Sequence, residues 1–430
     1  MSVVSVPTIA GLSIRALPWD PREHLADVAH RMHVKQTRML GFPGNFDVDL
    51  RGYAPLLGAF FNNVGDPQAA DASDIGAKTY ELAVLNYFAQ LAGADPDEVY
   101  GYVASSSSEA LLHGLYTARK VLPDASGVRV GPGALQRGAA CDVLRVALVT
   151  VASRPDGSMD PADSAAQAAL RSRGRIYRRR LGAIVVAACG TTMRGAVDDI
   201  RQLRAAASVA GPVHLHVDAA GGGLIAAHTD PAPRWGFADT ADSLNISGHK
   251  ILGLPAPAGI FLVRAELVTP AVGGEYLATT DDTLACSRSG LAALLLWARL
   301  QELGRARVAA MIRRCQDVAA YAVDRLAEAG VNPSRFPGSL TVCFDQPPAA
   351  LARRWHLACE GRYAHIVTTG HVTRAAIDEL AADLAAARRL TSEAPIGSGD
   401  VAAGPRPVTS PRPVPGPAPR GARKHAPQAG

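Results

Sequence analysis

Five apolar runs, each near strand length, restrict the fold more than any other feature of the chain; they lie at 145–153, 182–190, 213–220, 243–247 and 258–263. Helical stretches separate most of them, among these 78–93, 109–122 and 198–210. A strand buried on both faces reads as a continuous apolar run, and such strands alternating with helices build a mostly parallel sheet with helices on both sides. The expected fold is therefore α/β, with this sheet in a large domain at 61–290. Residues 1–60 read as an amino-terminal arm with a helix near 21–37. A helical bridge over 290–326 leads to strands at 339–344 and 364–368 and a helix at 373–389, a small α+β domain at 291–391. From 392 to 430 the chain is rich in Pro, Gly, Ala and Arg without apolar periodicity. Such a stretch buries too little surface to offset the entropy of ordering, so a disordered tail is expected.

The 430 residues suffice for a large core, and the net charge of +5 is modest. Arg171, Arg173, Arg175, Arg178, Arg179 and Arg180 concentrate positive charge before one strand. A single aromatic, Tyr177, lies among them and no binding-motif pattern accompanies it, which favours a solvated helix face over a nucleic-acid surface. Cys141, Cys189, Cys286, Cys315, Cys343 and Cys359 show no paired spacing, as free thiols in a reducing compartment would. No charged-then-apolar leader opens the chain and no apolar run approaches ~18 residues. A cytoplasmic protein with neither membrane nor nucleic-acid partners is expected.

The chemistry concentrates in Leu244-Asn245-Ile246-Ser247-Gly248-His249-Lys250, an apolar strand running into a polar turn. The sequence holds only five lysines, Lys35, Lys78, Lys120, Lys250 and Lys424. A lysine kept where arginine is the habit suits an amine that must lose its proton, as in Schiff-base chemistry; the other reading is a lysine that closes a strand end. Upstream, alternation along Val213-His214-Leu215-His216-Val217-Asp218 puts His214, His216 and Asp218 on one face. Three such donors could hold a metal. Alternatively, Asp218 is a carboxylate for a pyridinium nitrogen, and the small residues Ala219, Ala220 and Gly221 let a flat ring lie close. Ser105-Ser106-Ser107-Ser108 before Glu109 reads equally as a helix cap and as a phosphate-binding turn.

His-Val-Asp-Ala-Ala followed by Ser-Gly-His-Lys resembles the fold-type I, pyridoxal-phosphate-dependent amino-acid decarboxylases, most of all the bacterial histidine decarboxylases. Gly41-Phe42-Pro43, Asn62-Asn63-Val64-Gly65-Asp66-Pro67, Gly101-Tyr102-Val103, Gly190-Thr191-Thr192, Ser287-Arg288-Ser289-Gly290 and Ala364-His365-Ile366-Val367 extend the likeness, in order, from about 38 to 385. The resemblance implies an aspartate-aminotransferase-like fold and a decarboxylase of histidine or a related L-amino acid. Its cofactor, pyridoxal 5'-phosphate, is implied to sit as an internal aldimine on Lys250, with Asp218 at the ring nitrogen and Ala220 against the ring. Ser106, Ser107, Ser108, Ser247 and His249 are the implied phosphate contacts, His249 being open also to a structural role. Thr192 is implied to line the pocket, and Asn62, Tyr276 and Ser287 are the candidate substrate contacts. Ser287 and Arg288 match a loop near the subunit interface of the family, which implies a homodimer.

The chain also departs from the family. A histidine stacks on the cofactor there; counting back without gaps from Pro155-Asp156-Gly157 puts Ala134 at its position, and no histidine lies between His113 and His214. The family's phosphate turn carries adjacent glycines and a threonine in place of these serines, and Ser289 and Leu291 replace an asparagine and a histidine. These changes leave open two alternatives: other pyridoxal-phosphate chemistry, such as decarboxylation-coupled deamination or transamination, or cofactor binding without turnover.

Overall fold

A computed structural model of the protein describes residues 20–69, 75–131, 135–173, 181–269 and 281–392. Helix α1 (Pro21–Gln36) opens the described chain, its first turn capped by the Asp20 carboxylate, which accepts the Arg22 N–H. Strand β1 (Asn62–Val64) and helix α2 (Lys78–Leu91) follow. The main sheet comprises β2 (Val99–Ala104), β3 (Val128–Val130), β4 (Leu148–Thr150), β5 (Ala183–Ala188), β6 (Val213–Asp218), β7 (Ser243–Ser247) and β8 (Gly259–Arg264). Between these strands run α3 (Ser107–Val121), α4 (Leu135–Leu144), α5 (Pro161–Arg173), α6 (Ile200–Ala207) and the short α7 (Gly222–Ala226).

The strands lie in the order β2-β8-β7-β6-β5-β3-β4. Every pairing from β7 across to β4 is parallel, and β8 runs against both its neighbours. This is the mostly parallel α/β sheet that the apolar runs imply. The reversal at β8 has a simple cause. Residues 248–258 alone connect it to β7, with no helix to carry the chain back for a parallel pairing. That tight return holds His249 and Lys250 at the carboxyl end of β7.

Seven strands form the sheet where the apolar runs number five. The buried β3 escapes notice because Arg129 interrupts its three residues. In β2 the glycine of Val-Tyr-Gly-Tyr-Val-Ala masks a strand that is buried throughout. Conversely, 145–153 narrows to β4, an edge strand whose outer residues Leu148 and Thr150 are exposed.

Strand β9 (Ser287–Ser289) pairs with β1 in a separate two-stranded ribbon. The helical bridge, α8 (Gly290–Glu328), is two helices meeting at Gly304, whose φ of 57° is open to glycine. A second sheet contains β10 (Ser334–Arg335), β11 (Thr341–Asp345), β12 (Ala358–Glu360) and β13 (Tyr363–Val367), all antiparallel in the order β10-β11-β13-β12. Helix α9 (Ala349–Arg354) and helix α10 (Arg374–Ser392) complete this part, with Phe344, Trp355, Ile366, Ile377 and Leu380 in its core.

The arm ties the two sheets together. Leu40 is buried in the second core, and its carbonyl accepts the Val367 N–H at 2.7 Å. Five residues on, the Asn45 N–H donates to the Lys250 carbonyl at 2.9 Å, and the Asn45 side-chain amide donates to the Ile251 carbonyl at 3.1 Å. The lysine turn is thus held from outside its own sheet.

Arg175, Arg178, Arg179, Arg180 and residues 393–430 lie outside the described residues. Among the described residues, no helix is long and apolar enough to cross a membrane. The six cysteines are all free thiols.

Candidate active site

Lys250 sits partly buried in the turn after β7 and lines a cavity of about 310 Å³ with Thr191, Thr192, Gly221, Ile225 and Val367 among its other walls. Burial pulls its ammonium pKa below the ordinary value, and the Asp218 carboxylate opposes this more weakly. Asp218 ends β6, directly across from Asn245 in the register with β7. It lines a second cavity, of about 430 Å³, together with Arg137, Thr191 and Thr192. The shared threonines join the two cavities across the carboxyl ends of β5 and β6, where open parallel sheets bind ligands.

The oxygens of Asp218 have separate partners. Oδ1 accepts the Asn245 amide at 3.0 Å and the Ala220 N–H at 3.3 Å, while Oδ2 accepts Arg137 Nη2 at 3.2 Å. Burial opposes ionisation, but Arg137, Lys250 and Asn245 together outweigh it and hold the carboxyl below its ordinary pKa.

A buried chain of hydrogen bonds stands behind Asp218. His214 Nε2 meets Ser243 Oγ at 3.0 Å, and the same hydroxyl meets His216 Nδ1 at 2.8 Å. His216 Nε2 meets Asn245 Oδ1 at 2.8 Å. Burial lowers the His214 pKa to about 3 and that of His216 to about 4, so both rings are neutral at neutral pH. One assignment of protons satisfies every link: His214 Nε2–H to Ser243, Ser243 O–H to His216, His216 Nε2–H to Asn245, and the Asn245 amide to Asp218. Both His216 nitrogens are therefore spent on β7, which corrects the metal-ligand reading of His214, His216 and Asp218. Among the described residues, no three His, Cys, Asp or Glu side chains gather to hold a metal ion.

The serine run divides its work. Ser106 caps α3, its hydroxyl accepting the Glu109 N–H at 3.2 Å, and the Glu109 carboxylate returns to the Ser105 N–H at 2.9 Å. Ser107 turns inward, its Oγ 2.8 Å from that of Ser247 and 3.3 Å from the Asn245 amide. Ser108 stands exposed in the first turn. Gly259, at the start of β8, lets this turn approach, since a Cβ there would lie 2.3 Å from the Ser106 carbonyl. His249 is fixed across its own turn, Nδ1 accepting the Ala258 N–H at 3.2 Å.

Asn62 and Ser287 meet each other on the β1–β9 ribbon, with Asn62 Nδ2 3.3 Å from Ser287 Oγ, and neither lines the two cavities. Tyr276 and Ala134 lie outside the described residues. Two site residues carried no assigned role in the sequence. Asn245 had a visible signal, an amide inside an apolar strand, which must find a partner when buried. Arg137 gave none, because its partner lies 81 positions away.

The residues present fit pyridoxal phosphate. A partly desolvated amine and an ionised carboxylate sit at neighbouring strand ends, with small residues between them. Paired hydroxyls converge at the N-terminus of the 15-residue α3, a place suited to a phosphate.

Fold and site together define a pyridoxal-phosphate enzyme of fold type I. L-methionine decarboxylase from Streptomyces sp. 590 superposes with a TM-score of 0.76 at 24% identity, covering 88% of this chain and 97% of that one. Glutamate decarboxylase from Lactobacillus brevis gives 0.71 at 16% identity, covering 89% and 96%. Residues 138–336 match the family described as "Pyridoxal-dependent decarboxylase conserved domain". Serine decarboxylase 2 of Oryza sativa subsp. japonica is 31% identical over 404 residues, 90% of this chain and 85% of that protein. Histidine decarboxylase of Morganella morganii is 32% identical over 353 residues, 81% and 92%. The chain belongs to the pyridoxal-dependent decarboxylase family. Nothing in these likenesses points to deamination, transamination or cofactor binding without turnover.

Proposed function

We propose that the protein decarboxylates histidine or a related L-amino acid, releasing carbon dioxide and the corresponding amine. The convergence of Lys250, Asp218 and the Ser107–Ser247 hydroxyls at one end of the sheet carries this reading. Pyridoxal phosphate, when bound, supplies an aldehyde that takes up amines and a ring that accepts the electron pair left by the departing carboxylate. The lowered pKa of Lys250 raises its share of free amine, the form that attacks a carbonyl carbon. Asp218, held ionised, keeps a proton on the ring nitrogen. Ser107, Ser247 and the first turn of α3 bind the phosphate, Ser108 adds an exposed hydroxyl, and His249 donates through Nε2. Ala220 leaves room for the ring, and Thr192 sits between the two cavities.

The chamber beside Lys250 supports a side chain larger than that of serine. Phe42, Ile225, Ile251 and Val367 give it apolar walls, and Ser339 and His365 offer polar atoms for an imidazole-sized group. The working form is a cytoplasmic homodimer. Incubating cofactor-loaded protein with a panel of L-amino acids and identifying products by mass tests the reading. Histamine and carbon dioxide from histidine are expected. Amine from serine alone would replace the substrate, and carbonyl products without carbon dioxide would overturn the reaction.

A further inference from the structure

Arg137 has no part in the function above, yet it occupies the oxygen that function needs. Asp218 Oδ1 is already committed to Asn245 and Ala220, which leaves Oδ2 for the ring nitrogen, and Arg137 Nη2 lies 3.2 Å from Oδ2. The guanidinium is not a surface group that swings into solvent, for only 10% of its side chain is exposed, and it projects from the first turn of α4. Withdrawing it from Asp218 would leave a buried cation without its partner, at heavy cost. A carboxylate oxygen has room for two donors, so the guanidinium and the ring can be accommodated together.

We propose that Arg137 shares Asp218 Oδ2 with the ring nitrogen of bound pyridoxal phosphate and thereby weakens the carboxylate's hold on the ring. Two effects act in the same direction. The guanidinium draws negative charge from Asp218, making it a poorer acceptor for the ring N–H. Its own positive charge, on the far side of the same oxygen, disfavours a second cation there. Arg137 is thus a positioning residue that acts through Asp218. The inference rests on the cofactor reading of the previous subsection.

The test compares two ligands on the cofactor-free protein: pyridoxal phosphate and its analogue with carbon in place of the ring nitrogen. The ratio of their dissociation constants isolates the contact between Asp218 and the ring nitrogen, and phosphate and imine contacts cancel. In Arg137→Met the preference for the natural cofactor should rise about tenfold, the lower end of what a hydrogen bond to a charged group is worth. Arg137→Lys should stay near wild type. In an Asp218→Asn background the ring nitrogen has no anion to keep it protonated, so neither effect of Arg137 operates and Arg137→Met should move the ratio little further. Arg137→Gln drops the charge while keeping amide donors; it should also raise the ratio and serves if the methionine variant does not fold. An unchanged or lower ratio in a folded, charge-free variant overturns the role of Arg137 and leaves the proposed function standing. Failure of the wild type to attach the cofactor at Lys250 overturns the function itself.

Discussion

One oxygen of Asp218 is held by a chain of residues that line neither cavity. The chain from His214 through Ser243, His216 and Asn245 ends on Oδ1, and each link is buried. Replacing Asp218 with Asn should keep the cofactor, which phosphate and lysine contacts still hold, and remove most turnover, because an amide does not favour a protonated ring nitrogen. Absorbance of the bound cofactor and steady-state rates check both halves; activity within a few-fold of wild type would remove Asp218 from the mechanism. The histidines themselves predict a pH dependence of stability. Their folded pKa values, about 3 and about 4, lie below the ordinary 6.5, so the unfolded chain takes up protons first as pH falls. Stability is therefore full above pH 6.5 and declines as pH drops towards 4. His365 and His371, also lowered by burial, act in the same direction. Urea midpoints of the cofactor-free protein should fall across it, and His216→Gln should make the decline shallower.

Helix α3 carries a structural cap at Ser106 and the proposed phosphate contact at the adjacent Ser107, and substitution separates the two. Ser106→Ala removes the cap and should cost about 1 kcal/mol of stability with little change in cofactor affinity. Ser107→Ala leaves the cap intact and should weaken cofactor binding about tenfold through loss of one donor to a charged group. Thermal melts and cofactor titrations of both variants check this; equal effects on both measures would show that the serines do not divide as described. The serine run as a sequence is compatible with either task. The hydroxyl contact from Ser107 to Ser247, set by the approach of α3 to β7, is what sets Ser107 apart from the capping Ser106. The same distinction explains what else was legible. Strand β5 announces itself as an unbroken apolar run, and β6 and β7 by apolar residues at alternate positions, Val213-Leu215-Val217 and Leu244-Ile246. Strand β3 does not, because it buries Arg129 among its three residues. Lys250 and Asp218 stand out by residue type and local spacing. The pairing of Asn245 with Asp218 depends on β6 and β7 being neighbours, and sequence spacing does not encode strand order.

At the scale of the whole molecule, the arm leaves apolar surface uncovered. Leu57 is 75% exposed and Phe60 74%, and Leu25, Met32 and Val34 on α1 are exposed as well. Isolated exposed apolar residues need no explanation, but this many along one segment call for a partner surface. A second copy of the chain is the partner expected from the family resemblance at Ser287 and Arg288. Sedimentation should therefore give one species at twice the 44.8 kDa chain mass. The ribbon of β1 and β9 adds a functional consequence, because Asn62 and Ser287 meet each other away from the cavities of their own chain. If they serve the site of the other subunit, then separating the subunits should lower turnover without emptying Lys250. Leu57→Asp combined with Phe60→Asp is the discriminating variant, since both side chains lie far outside the core and their loss should leave the fold intact. It is expected to sediment as a monomer and to retain the cofactor, with a pyridoxyl group on Lys250 after borohydride reduction and peptide mapping. Its turnover should be well below that of wild type. A monomer with full activity would confine the whole site to one chain, and a persistent dimer would place the interface on another face.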